Sequence, residues 1–126
     1  MPTDMRNVAI RVLMMPRDTN HHGTIFGGVI LSYIDQAGAV AALRSGCRKV
    51  VTVAMDQVVF AQPVEVGDLV SYYAEVVHVG RTSVKVQVMV EAERRSSGEN
   101  VAVTRAEVTY VNLGADGQPT PVPANP

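Results

Sequence analysis

The 126-residue chain predicts an α+β fold in which one long central helix is wrapped by a curved antiparallel sheet of about five strands, ordered β-α-β-β-β-β. Three observations lead there. One apolar helical run stands between a single strand-like segment and four successive β-rich runs. The third of those runs alternates, with Val84, Val86, Val88 and Val90 on one face and Ser83, Lys85, Gln87 and Glu91 on the other. That is the pattern of a half-buried antiparallel strand. The lengths also differ: a helix of roughly 18 residues spans about 27 Å, whereas residues 82–95 extended span about 46 Å. Such strands overrun the helix, so the sheet is expected to curl round it.

Taken in order, residues 8–15, "VAIRVLMM", read as a first strand closed by Pro16 and a turn through Asp18, Thr19 and Asn20. Gly27 and Gly28 open the helix, and Arg44 with Gly46 supplies a basic last turn and a C-cap. The four β runs are residues 50–60, 69–79, 82–95 and 101–112. "QPVEVGD", "GR" and "SSGEN" separate them. Residues 113–126 lack an apolar period and are expected to form a loosely ordered, Pro-rich tail on the one domain spanning 1–126.

Acids and bases nearly cancel, 12 against 11, so no global field points to nucleic acid or an anionic membrane. The single cysteine, Cys47, excludes an internal disulfide framework and fits a reduced setting. The N-terminal stretch lacks the layout of a secretory signal. The apolar run from Val29 to Leu43 is about 15 residues and carries Asp35, too short and too charged to cross a bilayer. A cytoplasmic protein is expected.

Asp35 is the one acid in that run. On a helical wheel Gly28, Leu31, Ser32, Gly38, Ala39 and Ala42 lie near it, while Val29, Ile30, Tyr33, Ala37, Val40 and Ala41 lie opposite. The bulky side is expected to pack on the sheet, leaving a small-residue crevice beside the carboxylate. The helix is apolar or small almost all round, and one sheet covers one side of it, so a homodimer is expected with Asp35 near the interface. The plainer alternative is a structural acid paired with arginine or backbone N–H groups, since an unpaired buried carboxylate is costly. Asn20 offers a donor and an acceptor, or simply an Asx-turn. Gly27 and Gly28 either permit tight geometry or leave helix-start N–H groups open to a developing oxyanion. Adjacent His21 and His22 lack metal-ligand spacing, and no metal site is expected. His78 reads as a surface or interface residue. Cys47 lacks a neighbouring base, and no nucleotide fingerprint or nucleophile elbow occurs.

The segments "MPRDTNHHGTIFGGVILSYIDQAG", "VVTVAMDQVVFAQPVEVGD" and "VGRTSVKVQVMVEAE" resemble the hotdog-fold acyl-CoA thioesterases, namely the bacterial acyl-CoA thioester hydrolases and the repeated domain of the mammalian cytosolic acyl-CoA hydrolase. The most specific part is D-x-N-x-x-G-x-x-x-G-G followed by Asp35. The resemblance implies a helix as the sausage and a sheet as the bun, with two domains pairing into one continuous sheet and assembling into a hexamer, a trimer of dimers. It implies Asp35 and Asn20 as catalytic residues contributed by different subunits, with Gly27 and Gly28 polarising the thioester carbonyl. Asp35 would activate water as general base or attack directly. The turn of Gly80, Arg81, Thr82 and Ser83 would meet the phosphates of coenzyme A, and Thr52 and Phe60 on the following strand would line the pantetheine channel. Coenzyme A is then part of the substrate and no separate cofactor is expected. His21 and His22 depart from the small or polar residues usual in this turn. The competing readings are a non-catalytic acyl-CoA-binding or sensing domain, and an acyl-thioester dehydratase, whose histidine base the helix lacks.

Overall fold

Five strands and one helix account for the regular structure of the computed structural model, which describes residues 6–123. In chain order they are β1 (Val8–Leu13), a 3-10 turn (Pro16–Asp18), α1 (Gly27–Arg44), β2 (Val50–Asp56), β3 (Leu69–Val79), β4 (Ser83–Glu93) and β5 (Asn100–Asn112). All strands join one antiparallel sheet in the order β1-β3-β4-β5-β2. The expected β-α-β-β-β-β order therefore holds. Helix α1 packs against every strand, chiefly β3 and β4. Five strands side by side are roughly 19 Å across, wider than a helix of about 10–12 Å, so the sheet must wrap to touch it throughout. Register shifts in all four strand pairs supply bulges that bend it.

The core lies between α1 and the inner face of the sheet. Val84, Val86, Val88 and Val90 are sealed there with Tyr72, Tyr110, Ile30 and Ile34, as the alternation of β4 requires.

Four expectations need correction. The first strand stops at Leu13 because Met14 turns inward, its N–H donating to the Asp68 carbonyl at 2.9 Å. The second stops at Asp56, where Gln57 adopts φ of 59° and carries the chain off the ladder. Val59 and Ala61 still touch β5 through single bonds, from Thr104 Oγ1 to the Val59 carbonyl (2.6 Å) and from the Ala61 N–H to the Val103 carbonyl (2.8 Å). Phe60 is consequently on a loop, not on a strand.

The helix face is also rotated from the expected one. Its buried residues are Ile30, Ile34, Ala37, Gly38 and Ala42, and Gly28, Ser32, Gln36 and Leu43 are exposed. Gly38 and Ala42, expected on the crevice side, thus pack on the sheet together with Ile30 and Ile34, and the Tyr110 ring reaches up to the helix at Gly38. Asp35 sits at the border of the buried face.

The tail was expected to be loose from residue 113. Through 123 it is pinned by bonds from the Thr120 N–H to the Asn112 carbonyl (2.8 Å) and from the Val122 N–H to the Arg81 carbonyl (2.8 Å). Residues 124–126 of that expected tail lie outside the described residues. Among the described residues, no helix is long and apolar enough to cross a membrane.

Candidate active site

Asp35, in the middle of α1, is half-buried. Its Oδ1 accepts a hydrogen bond from Thr52 Oγ1 at 2.6 Å. The Tyr110 hydroxyl donates to the Asp35 main-chain carbonyl at 2.6 Å and stands 3.3 Å from Oδ1. Thr52 and Tyr110 face each other across the β2–β5 ladder, and Tyr110 is paired in turn with Val84 of β4. One row of the sheet therefore carries both partners of the carboxylate and ends beside Ser83, at the β3–β4 turn. Ion pairs among the described residues join Arg6 to Glu91 and Arg94 to Glu65 and Asp68. None reaches Asp35.

The phenol of Tyr110 stays a donor. Burial pushes its pKa above the usual tyrosine range, the charge of Asp35 and the hydrogen bond to it add to the rise, and the Ala39 backbone N–H pulls the other way. Sequence reasoning missed this residue. The available signal was the inward alternation of Ala106, Val108 and Tyr110, because a tyrosine on a buried face needs an acceptor for its hydroxyl. Thr52, expected along the pantetheine channel, has its hydroxyl on the carboxylate.

Asn20 forms an Asx-turn. Its Oδ1 accepts from the N–H groups of His22 (2.8 Å) and Thr24 (3.2 Å), and Nδ2 donates to Thr24 Oγ1 at 3.0 Å. An amide nitrogen carries two protons, and the second has no acceptor among the described residues. Within one chain, Asn20 and Asp35 share no hydrogen bond.

Gly27 and Gly28 begin α1 after Phe26, which gives no side-chain cap. The first N–H groups thus stay available to an anionic atom. A methyl on Gly28 would meet nothing within 4 Å, and its φ is not positive. Neither conformation nor packing inside the chain demands glycine there. Phe60 approaches the place of a Gly27 Cβ at 3.9 Å. With Ile25, Ile30 and Val64 it lines an apolar cleft of about 320 Å³ beside the helix start.

In the turn, the Gly80 N–H donates to the Ser83 carbonyl at 2.8 Å, and the Thr82 carbonyl accepts from the Asn112 N–H at 2.8 Å. The exposed Arg81 side chain makes no ion pair among the described residues. His21 and His22 are exposed with ring centroids 3.8 Å apart, and His78 is exposed on β3. No cluster among the described residues has the make-up to hold a metal ion. Burial pushes the Cys47 thiol up, against a smaller opposing effect of its hydrogen bond with Ser45, so its nucleophilic thiolate form is disfavoured.

The geometry is thus a helix inside a curled five-stranded sheet, with an uncapped glycine pair at its start and a lone carboxylate at its middle. The family model described as "Thioesterase superfamily" matches residues 22–99, and the chain belongs to that superfamily. Asp35 and Thr52 lie inside the matched span; Asn20 and Tyr110 lie outside it. The chain is 38% identical over 124 residues to the acyl-CoA thioester hydrolase YciA of Salmonella typhimurium, covering 96% of this chain and 93% of that one. Among solved structures it is similar to a hexameric hotdog-fold thioesterase of Campylobacter jejuni, at 48% identity and TM-score 0.89, covering 96% and 93% of the two chains. It is also similar to an acyl-CoA hydrolase of Staphylococcus aureus in complex with butyryl coenzyme A, at 32% identity and TM-score 0.84, covering 91% and 70%.

Proposed function

We propose that the chain hydrolyses acyl-CoA thioesters to free acid and coenzyme A, with Asp35 as the general base that takes a proton from the attacking water. The observation that carries this reading is the state of the carboxylate, bonded by the Thr52 hydroxyl with the Tyr110 hydroxyl beside it, and reached by no ion pair among the described residues. The same molecule contains a structural acid for contrast. Asp68 is 2% exposed, paired with Arg94 and bonded by the Glu65 N–H at 2.9 Å, as a sealed charge must be. Asp35 is not neutralised in that way.

Water adds to the thioester carbon, the carbonyl oxygen takes up negative charge, and collapse expels the coenzyme A thiolate, which takes the proton. The N–H groups at Gly27 and Gly28 would hold the oxyanion, where losing one donor costs about 2.7–4 kcal/mol. The spare Nδ2 proton of Asn20 suits the water or the carbonyl of a site completed by the neighbouring subunit, with the Asx-turn as its rigid mount. Gly80, Arg81, Thr82 and Ser83 offer a cation and hydroxyls to the phosphates. The chemistry needs no further cofactor, since coenzyme A arrives with the substrate. The minimal unit is a homodimer joined along the free edge of β2 and assembled three times into a hexamer. The free thiol of Cys47 supports a cytoplasmic setting.

Free-thiol release from a panel of acyl-CoAs tests this. Wild type is expected to turn over at least one substrate, and Asp35→Ala to lose about 10²- to 10⁴-fold with its circular dichroism unchanged. Equal turnover would sink the mechanism. Binding without release would favour the acyl-CoA-sensing alternative. Mixing inactive Asn20→Ala and Asp35→Ala chains should restore activity after subunit exchange, because hybrid dimers then carry one intact site.

A further inference from the structure

We propose that Tyr110 is a positioning residue for this reaction: its hydroxyl, seated in the backbone of α1, sets the Asp35 carboxylate so that Oδ1 is anchored and Oδ2 is the oxygen that takes the proton. The proposal rests on the hydrolase reading above for its activity and on separate geometry for its content.

Tyr110 is 0% exposed, so its hydroxyl has no water to turn to and keeps its partners. It donates at 2.6 Å to the Asp35 carbonyl, the group that a regular helix reserves for the N–H of Ala39. That same N–H acts on the phenol oxygen. The hydroxyl therefore stands in the hydrogen-bond ladder of α1 at the Asp35–Ala39 rung. Gly38 makes room for it: a Cβ there would lie 2.9 Å from Tyr110 Cε2 and Cζ. From this seat the hydroxyl lies 3.3 Å from Oδ1, and Thr52 Oγ1 meets the same oxygen at 2.6 Å. Oδ2 has no donor among the described residues.

An aspartate's terminal torsion is broad and roughly two-fold, so an unanchored carboxylate presents either oxygen to the water in changing orientations. Thr52 donates to Oδ1 outright, and the single phenol proton, given mainly to the Asp35 carbonyl, reaches Oδ1 as the weaker arm of a bifurcated bond; together they restrain that rotation and leave the lone pairs of Oδ2 pointing at one place. Fixing a catalytic group before the reaction removes part of the orientational cost of the barrier.

The test uses the assembled enzyme. Tyr110→Phe keeps the ring and removes the hydroxyl, and is expected to lower kcat about 10- to 100-fold while KM stays within about twofold. Thr52→Val should behave alike, and Thr52→Ser should restore kcat. The double variant should lose less than the product of the single losses, because both hydroxyls hold one oxygen. Wild-type kcat in Tyr110→Phe, a loss carried by KM alone, or fully multiplicative losses would each overturn the proposal. A Tyr110→Phe chain that does not fold would make the hydroxyl a stability element and overturn it too. Wild type failing to release thiol from every acyl-CoA is a different result, which removes the hydrolase reading on which this one stands.

Discussion

Tyr72 shows what a buried hydroxyl does without a partner. It is 0% exposed on β3, its ring 5.6 Å from that of Tyr33, and its hydroxyl has no hydrogen bond. Burial pushes its pKa up, with Tyr33 and Asp18 adding to the rise. A phenol held above its ordinary value favours folding fully below about pH 10. That contribution is lost as the pH climbs through the folded value, because the unfolded chain gives up its proton first. Tyr72→Phe should therefore unfold at higher denaturant than wild type, by about 1 kcal/mol at pH 7, and the gap should widen near pH 11. A variant less stable than wild type at both pH values would mean the hydroxyl is satisfied after all. Tyr110, equally buried, differs by one thing, the helix carbonyl it reaches. The identity of Asp35 as the residue to explain was legible in the sequence, being an acid inside an apolar run. Its partners were not, since Thr52 is 17 residues away and Tyr110 is 75 away, and only the sheet register brings them together.

Elements were legible where local signals bound them and illegible where a distant contact did. β3 begins and ends where its flanking turn residues place it, Leu69–Val79. The run 50–60 stays apolar past Asp56, so composition gives no stop, and the positive φ of Gln57 supplies one. The tail is the larger case. Without an apolar period it reads as loose, yet Asn112, 2% exposed, fastens it by polar bonds. Its Oδ1 accepts from the Arg48 N–H at 2.8 Å, and Nδ2 donates to the carbonyls of Thr120 (3.3 Å) and Pro121 (3.2 Å). Together with the Val122 bond to the Arg81 carbonyl, this ties the tail, the start of β2 and the 80–83 turn into one unit. Asn112→Ala should cost about 2–3 kcal/mol in denaturant unfolding, and speed amide hydrogen exchange over residues 113–123. It should also raise KM for acyl-CoA more than it lowers kcat, since the loosened turn is the proposed phosphate site. Unchanged exchange in the tail would show that Asn112 does not hold it.

At the scale of the molecule, the free side of β2 is the feature a single chain leaves unresolved. β2 pairs with β5 on one side only. Along it Val51 is 44% and Val53 is 56% exposed, and the outer face of α1 presents Gly28, Ser32, Gln36 and Leu43. An apolar edge strand invites pairing with another chain, and monomeric proteins blunt such edges with charge. β2 has none until Asp56. Thr52 sits in this strand, so the anchor of Asp35 lies at the border where a second copy would dock. This is the physical reason a site shared between subunits fits the fold: the carboxylate is carried to the edge of one chain, and the spare N–H of Asn20 finds no acceptor among the described residues. Val53→Lys puts a charge on that edge without touching the core. It should shift the protein to smaller species in light scattering and depress thiol release in proportion, with far-ultraviolet circular dichroism preserved. Raising the protein concentration should recover both together by mass action. A Val53→Lys protein that becomes monomeric at full activity would show each chain to carry a complete site. One that stays assembled at full activity would move the interface elsewhere on the molecule.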